Sequence, residues 1–213
     1  MRRYLSPTVY SYLAVALLAV GVFGYPSRAA VAEETAILAG GCFWCVESDY
    51  DHVPGVLSTT SGYIGGEAPN PTYKSVSAGG SGYIEAVEIV FDPDKITYSE
   101  ILDIFWRSVD PTDDGGQFCD RGDSYKTAIF ATTDSQKETA ESSKVALDQS
   151  GDLKAPVVTE IREASKFYPA EEYHQDYYNK NPVRYKFYRF SCGRDARIEE
   201  LWGDQAHQGI IEH

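Results

Sequence analysis

The chain has 213 residues, 43% of them hydrophobic, and a formal net charge of −13. That length builds one ordinary domain with a sizeable core, which needs no scaffold of cross-links to fold. So acidic a surface, with no basic stripe to interrupt it, repels phosphate backbones and excludes nucleic acid as a partner.

Arg2 and Arg3 precede a largely apolar run from Val9 to Phe23, and Ala30-Val31-Ala32 stands just before the first acids, Glu33 and Glu34. This order predicts a signal peptide over 1–32 and an exported, periplasmic protein. A retained N-terminal membrane anchor is the alternative, although the apolar run is short for a span. Residues 1–32 carry three arginines and no acids, so 33–213 keep a formal charge of −16.

Residues 35–39 predict a short apolar strand, and Gly40-Gly41 lets the backbone turn without a Cβ penalty. From Phe43 the positions Val46, Tyr50 and Val53 space as one helix face, which Pro54-Gly55 ends. Residues 56–63 are β-prone, 65–73 read as a loop rich in Gly, Pro and Asn, and 84–91 alternate as a strand. Thr97, three before Glu100, makes a capping box ahead of the apolar stripe Ile101, Leu102, Phe105, Trp106 and Val109. Residues 125–131 predict another strand, Thr133 starts a polar helix to about Gln149, 157–161 an edge strand and 170–178 a short helix. The order strand, helix, strand, strand, helix, strand is the split βαβ plan. The predicted fold is therefore α/β (α+β), a two-layer sandwich with a ferredoxin-like core, a mixed, mainly antiparallel sheet and a long irregular C-terminal tail. It forms one domain over 33–213, expected to be a monomer.

The chemistry centres on Gly40-Gly41-Cys42-Phe43-Trp44-Cys45. Cys42 stands where a helix begins, so free N–H donors and the helix field favour its thiolate. Cys45 follows one turn later, close enough to bridge Cys42, yet such a bridge closes too small a loop to stabilise the fold. Reactivity explains the spacing better than structure does. Consecutive helical residues point about 100° apart, so at least one of Phe43 and Trp44 is free to line an apolar recess beside the thiol. Glu85 opens an apolar strand, where burial would raise its pKa and let it hold a proton near neutral pH. Asp120 and Tyr125 flank a second strand entrance in Cys119-Asp120-Arg121-Gly122-Asp123-Ser124-Tyr125.

These residues resemble peptide methionine sulfoxide reductase, A type. The matching runs are Gly41 to Trp44, Ser61-Gly62-Tyr63-Ile64-Gly65-Gly66, Asn70-Pro71-Thr72-Tyr73, Glu85-Ala86-Val87, Tyr98 to Trp106 with Asp110-Pro111, Asp120-Arg121-Gly122 leading to Tyr125, and Ala170-Glu171-Glu172-Tyr173-His174-Gln175. The resemblance spans about 35–202. It implies a reductase for the S epimer of methionine sulfoxide, free or in proteins, with no bound cofactor or metal and an external thioredoxin-like dithiol as reductant. By resemblance, Cys42 attacks the sulfur, Glu85 protonates the oxygen, Tyr63 and Tyr125 donate to it with Asp120 assisting, and Phe43 and Trp44 hold the S-methyl group. The resulting sulfenic acid is resolved by a second thiol, for which the family's habit puts Cys192 first, with Cys45 and Cys119 as alternatives. The family often has a histidine two before the acid, where this chain has Tyr83, and an asparagine before the aspartate, where it has Cys119.

Two rival readings use the same cysteines. A general dithiol–disulfide oxidoreductase built on Cys42 and Cys45 would leave Glu85, Tyr63 and Tyr125 without effect on rate. A four-cysteine zinc site would need two isolated thiols to converge on one close pair. His174, in the helix expected over 170–178 among acids and aromatics, reads as a packing or hydrogen-bonding residue.

Overall fold

The computed structural model describes residues 32–211, and the segment expected to be a signal peptide lies outside them save for Ala32. The apolar run of β1 (Glu34–Gly40) sends Ala36 and Leu38 to one side of the sheet and Ile37 and Ala39 to the other, as the two-residue period of a strand requires. β1 pairs antiparallel with β3 (Ile84–Phe91) and β6 (Thr127–Ala131), and β3 with β2 (Val56–Ile64). The six-stranded sheet runs β7-β6-β1-β3-β2-β8. At its edges β7 (Glu160–Glu163) lies parallel to β6, and β8 (Tyr168–Pro169) antiparallel to β2. With β3 inserted between β1 and β2, the sheet has the split βαβ order expected from the sequence.

The main core joins Leu38, Val87, Ile89 and Ile129 of the sheet to Phe43, Val46 and Tyr50 of α1 (Phe43–Asp51), Ile101 and Phe105 of α3 (Tyr98–Trp106) and Ala140 and Leu147 of α4 (Asp134–Ser150). A second cluster of Ile37, Ile64, Ile84, Ala86 and Phe130 packs under Ala164 and Phe167. The cap read from the sequence forms as expected: the Glu100 N–H donates to Thr97 Oγ1 at 3.2 Å and the Thr97 N–H to Glu100 Oε2 at 2.8 Å. Thr133 likewise caps α4 by accepting the Gln136 N–H at 3.2 Å.

Four stretches differ from expectation. The loop over 65–73 leads directly into a short helix, α2 (Tyr73–Ser77), started by a reciprocal Thr72–Ser75 cap. β4 (Gly116–Gln117) and β5 (Asp120–Arg121) form a small hairpin, and Tyr125 closes a 3-10 turn over Asp123–Tyr125 rather than opening a strand. The helix expected over 170–178 is broken into a 3-10 turn at Glu172–His174 and α5 (Tyr177–Lys180), because Asp176 takes a left-handed conformation at φ +51°.

The fourth correction concerns the C-terminal segment, which is helical rather than irregular: α6 (Pro182–Cys192) and α7 (Arg194–Trp202) meet at Gly193, φ +72°. What holds it is distant in sequence. Arg189 and Arg194 are buried and pair with the fully buried Asp49 of α1, at 2.7 and 3.6 Å, while Ile198 and Trp202 enter the main core. Removing one member of a buried pair strands charge away from water. Arg189→Met, which takes from Asp49 the nearer of these two guanidinium groups, is expected to lower stability by about 3 kcal/mol, read as a lower urea midpoint at unchanged slope.

Candidate active site

Sharp turning at the end of β1 creates the site. Gly41 sits at φ +85°, and a Cβ there would meet the Gln117 side chain at 2.5 Å, so both its conformation and its neighbour require glycine. Gln117 is itself fixed, accepting the Asp110 N–H at 2.9 Å and donating to the Asp110 carbonyl at 2.8 Å. From the other side, Arg194 of α7 donates to the Gly40 carbonyl at 3.0 Å and the Ser108 carbonyl at 2.8 Å. The turn delivers Cys42 as the N-cap of α1, its carbonyl accepting the Cys45 and Val46 N–H groups.

Cys42 opens on a recess of about 40 Å³ lined by Phe43, Trp44, Tyr73, Glu85, Asp120, Tyr125 and Tyr188. That volume is close to one water's share of the liquid, about 30 Å³. A wider groove of about 680 Å³ between α3 and α4 offers carboxylates and hydroxyls but no thiol.

Glu85 is 1% exposed, and its Oε2 accepts the Phe43 N–H at 3.1 Å. The other oxygen is buried without a hydrogen-bond partner among the described residues. Burial pushes its pKa up to about 8, against the lowering effect of the Phe43 N–H, and the nearby Asp120 and Cys45 charges add to the rise. At neutral pH the group is a carboxylic acid, with a proton to give.

Unlike Glu85, the thiols depart from the sequence reading. The Phe43 N–H at the start of α1 is taken by Glu85, so it anchors the acid instead of a Cys42 thiolate. Burial, the hydrogen bond and charge of Cys45, and the acids Glu85 and Asp120 push the Cys42 thiol up. Cys45 is pushed down, first by the hydrogen bond from Cys42 and then by the Arg194 and Arg189 guanidinium groups. The helix start alone does not ionise Cys42. Burial and neighbouring acids push Cys42 toward the thiol, and cations supplied by α6 and α7 favour negative charge on the inner sulfur.

The remaining expected residues divide into those inside the recess and one outside it. Asp120 is raised by its burial; its Oδ2 accepts the Tyr188 hydroxyl and lies 3.9 Å from Cys192 Sγ. Phe43 and Trp44 both line the recess. Trp44 is held by stacking on Tyr177 at 3.7 Å and by an Nε1–H bond to His174 Nδ1 at 3.0 Å. His174 is thus an acceptor that orients an aromatic wall, with burial lowering its pKa. Tyr63 is placed elsewhere. Fully buried opposite Glu85 in the β2–β3 register, it gives its hydroxyl to Glu171 at 2.9 Å and does not line the recess. Tyr73 takes the place expected of it: Glu171 accepts the Tyr73 N–H at 3.0 Å, and burial followed by the Glu85 and Cys42 charges pushes the phenol up to about 12. Tyr125 is raised the same way. Tyr83 lies outside, donating to the Ala68 carbonyl at 2.6 Å.

Sequence reasoning missed Tyr73 and Tyr188 as lining residues. Tyr73 ends a run already matched to the family, Asn70 to Tyr73, and that was its available signal. Tyr188 had none, because α6 was not foreseen. The four cysteines form two separate pairs: Cys42 and Cys45 are free and buried, and Cys119 is bonded to Cys192. Four thiolates therefore do not converge on one point.

A family model described as peptide methionine sulfoxide reductase matches residues 34–206. The chain is 50% identical over 185 residues to peptide methionine sulfoxide reductase MsrA 2 of Rhizobium meliloti, covering 87% of this chain and 91% of the relative. To MsrA of Bacillus licheniformis it is 52% identical, covering 80% and 94%. Among solved structures it is similar to reduced Mxr1 of Saccharomyces cerevisiae (TM-score 0.66, 32% identity, 70% of this chain and 86% of that one). It is also similar to methionine sulfoxide reductase A of Corynebacterium diphtheriae (TM-score 0.64, 32% identity, 74% and 79%).

Proposed function

The chain belongs to the peptide methionine sulfoxide reductase family, and on that premise we propose that Cys42 is its nucleophile and Glu85 its acid. The enzyme is a peptide-methionine (S)-S-oxide reductase: it reduces the S epimer of methionine sulfoxide to methionine through cysteine and disulfide chemistry. One observation carries the residue roles, namely the Glu85 carboxyl, buried and anchored on the Phe43 N–H at 3.1 Å, in the same recess as the Cys42 thiol. Sulfoxide sulfur is a poor electrophile until its oxygen is protonated, so an acid and a thiolate must meet on one S–O group.

In the first step the Cys42 thiolate bonds to the sulfoxide sulfur while Glu85 supplies a proton to its oxygen; the substrate S–O bond and the new S–S bond then break as that hydroxyl passes to the Cys42 sulfur. Methionine departs, and Cys42 is left as sulfenic acid, so the substrate gains the two electrons that Cys42 loses. Tyr73 and Tyr125 donate to the same oxygen, a role that Tyr63 cannot fill while bonded to Glu171. Asp120 and Tyr188 close the polar side, and Phe43 and Trp44 enclose the methyl group.

Cys45 resolves the sulfenic acid, forming the Cys42–Cys45 bridge with release of water. This replaces Cys192, the first expectation, because Cys45 stands one helical turn from Cys42, its N–H donating to the Cys42 carbonyl at 3.1 Å, while Cys192 is bonded to Cys119. After one turnover without reductant, peptide mapping is expected to find Cys42 and Cys45 both unalkylatable and joined. Cys45→Ser should leave a Cys42 sulfenic acid that a carbon nucleophile traps. A Cys42–Cys192 peptide in the unsubstituted enzyme would overturn the assignment.

An external dithiol protein of thioredoxin type returns the enzyme to its thiol form. Work outside the cytoplasm, by a chain freed of residues 1–32, is supported by the basic, apolar, small-residue order of that segment and by a bridge between cysteines 73 residues apart, which persists in oxidising compartments.

A further inference from the structure

The hairpin of β4 and β5 turns through Phe118, held at φ +55°, a left-handed conformation that costs a bulky residue energy and persists only where its surroundings fix it. The Arg194 guanidinium lies over the Phe118 ring at 4.8 Å. This turn sets Cys119 and Asp120 side by side, opposite Cys192 at the end of α6. One sulfur from each cysteine and one Asp120 carboxylate oxygen all lie within 4.8 Å of one another, with Cys192 Sγ 3.9 Å from Asp120 Oδ2. Cys119 is exposed and the other two are half-buried, so the cluster is open to solvent, on a chain of net charge −13.

Two thiolates and a carboxylate are a donor set for a borderline-soft divalent cation. Tetrahedral zinc, with bonds of about 2.3 Å to sulfur and about 2.1 Å to oxygen, sets a sulfur and an oxygen ligand about 3.6 Å apart, close to the Cys192–Asp120 separation. The Cα atoms of Cys119 and Cys192 are 4.8 Å apart, so side-chain rotation alone can part the two sulfurs once their bond is opened. The Cys119 N–H donates to Cys192 Sγ at 3.1 Å, the kind of added hydrogen bond that orients a metal ligand and holds its charge. We propose that, with the bridge reduced, Cys119, Cys192 and Asp120 bind one zinc ion, water taking the fourth place, and that this ion inhibits the enzyme. Binding stands apart from the reductase reading; inhibition rests on it.

Opening the bridge takes two electrons and two protons from a dithiol, which ends as a disulfide, and leaves two thiols on the enzyme. Zinc then replaces both thiol protons, which pass to solvent, so its affinity weakens as pH falls. Asp120 links the cluster to catalysis: its Oδ2 accepts the Tyr188 hydroxyl, and both residues line the recess beside Cys42. A cation on that oxygen takes the acceptor from Tyr188 and draws Asp120 toward the surface. The bridged enzyme offers no thiolate there, so the Cys119–Cys192 bond keeps the ion out.

The test uses the double variant Cys42→Ser, Cys45→Ser, in which only the outer pair can supply thiols. Zinc binding is measured by equilibrium dialysis with the bridge intact, and again after dithiothreitol has opened it and been removed. One zinc per chain is expected in the open form and none in the bridged form, and cobalt in its place should show thiolate-to-metal charge-transfer absorption. Cys192→Ser or Asp120→Asn, added to that background, should each weaken binding by at least about tenfold, since even partners outside a coordination shell are worth that much. Equal binding by both redox forms overturns the proposal, as does undiminished affinity in either added variant. Loss of the native far-UV spectrum when the bridge opens overturns it too, because the three ligands would no longer be held together. Inhibition is read as methionine formed in a single turnover of fully reduced enzyme, in the parent and in Cys192→Ser, each against its own zinc-free rate. The parent should respond to about tenfold less zinc. Equal sensitivity would place the effect on Cys42 and Cys45 and overturn the inhibitory role, whereas absence of turnover in the zinc-free parent would refute the reductase reading and leave the binding result standing.

Discussion

Cys42→Ser is expected to fold normally and to lose methionine sulfoxide reduction by a factor on the order of 10⁴ or more, the scale on which removing a nucleophile acts. Fold should survive, since serine is smaller than cysteine and the turn that presents position 42 is fixed by Gly41, Gln117 and Arg194. Chemistry cannot survive, because a serine hydroxyl has no accessible sulfenic state and no pathway to a disulfide. The measurement is methionine released in a single turnover, with intact mass reporting whether any sulfur gained oxygen. Residual single-turnover chemistry in Cys42→Ser, with oxidation located at Cys45, would transfer the nucleophile to the inner sulfur. That outcome is a sharp alternative here, since Cys45 is the thiol whose pKa the structure lowers.

Glu85→Gln is expected to slow the first chemical step by about 10²- to 10⁴-fold, the usual worth of a positioned acid. Glutamine is nearly isosteric: its carbonyl can accept the Phe43 N–H that Glu85 accepts now, and its amide can still donate a hydrogen bond. What it lacks is a proton to transfer. The thiol should remain alkylatable, so binding and fold are separable from acid catalysis. Full first-step rate in this variant would remove Glu85 from the mechanism.

Proton occupancy gives this variant a second signature. In the parent, the limb of the first-step profile set by the acid should hold while Glu85 keeps its proton, below about pH 8, and fall above it; the glutamine enzyme should lack that limb. Stability follows the same group. Its folded pKa of about 8 lies above the ordinary 4.5, so between those values the folded protein binds the proton more tightly than the unfolded chain does. The stability this contributes is complete below about 4.5 and is lost as pH rises through about 8. Denaturant midpoints of parent and Glu85→Gln should therefore diverge with rising pH, to the disadvantage of the parent, by an amount on the order of a few kcal/mol.

Much of the molecule is decided by short-range pattern. The alternation in β1 and β3, the Thr97–Glu100 cap and the Gly40-Gly41 turn specify local geometry with residues adjacent in sequence, and local sterics and hydrogen bonds act over that range. Those elements sufficed to order the strands as split βαβ and to place Cys42 before a helix. Glu85 at the head of an apolar strand was readable for the same reason. Tyr63 and Tyr73 were not distinguishable by such rules, because each lies in a family-like run and only the position of Glu171, 108 and 98 residues away, commits the one and leaves the other facing the recess.

The sequence by itself determined the sheet order, the place of Cys42 before a helix and that of Glu85 at the head of a strand, since each is written in contiguous residues whose interactions are local; the reaction class came with the family resemblance. Tertiary structure alone decided how the charge is shared between Cys42 and Cys45, which tyrosines face the recess, and which cysteines are bonded. All three depend on α6 and α7 folding back to bring Arg189, Arg194, Tyr188 and Cys192 against residues far earlier in the chain. Desolvation and Coulomb interaction depend on distance through space, and chain separation carries no record of it.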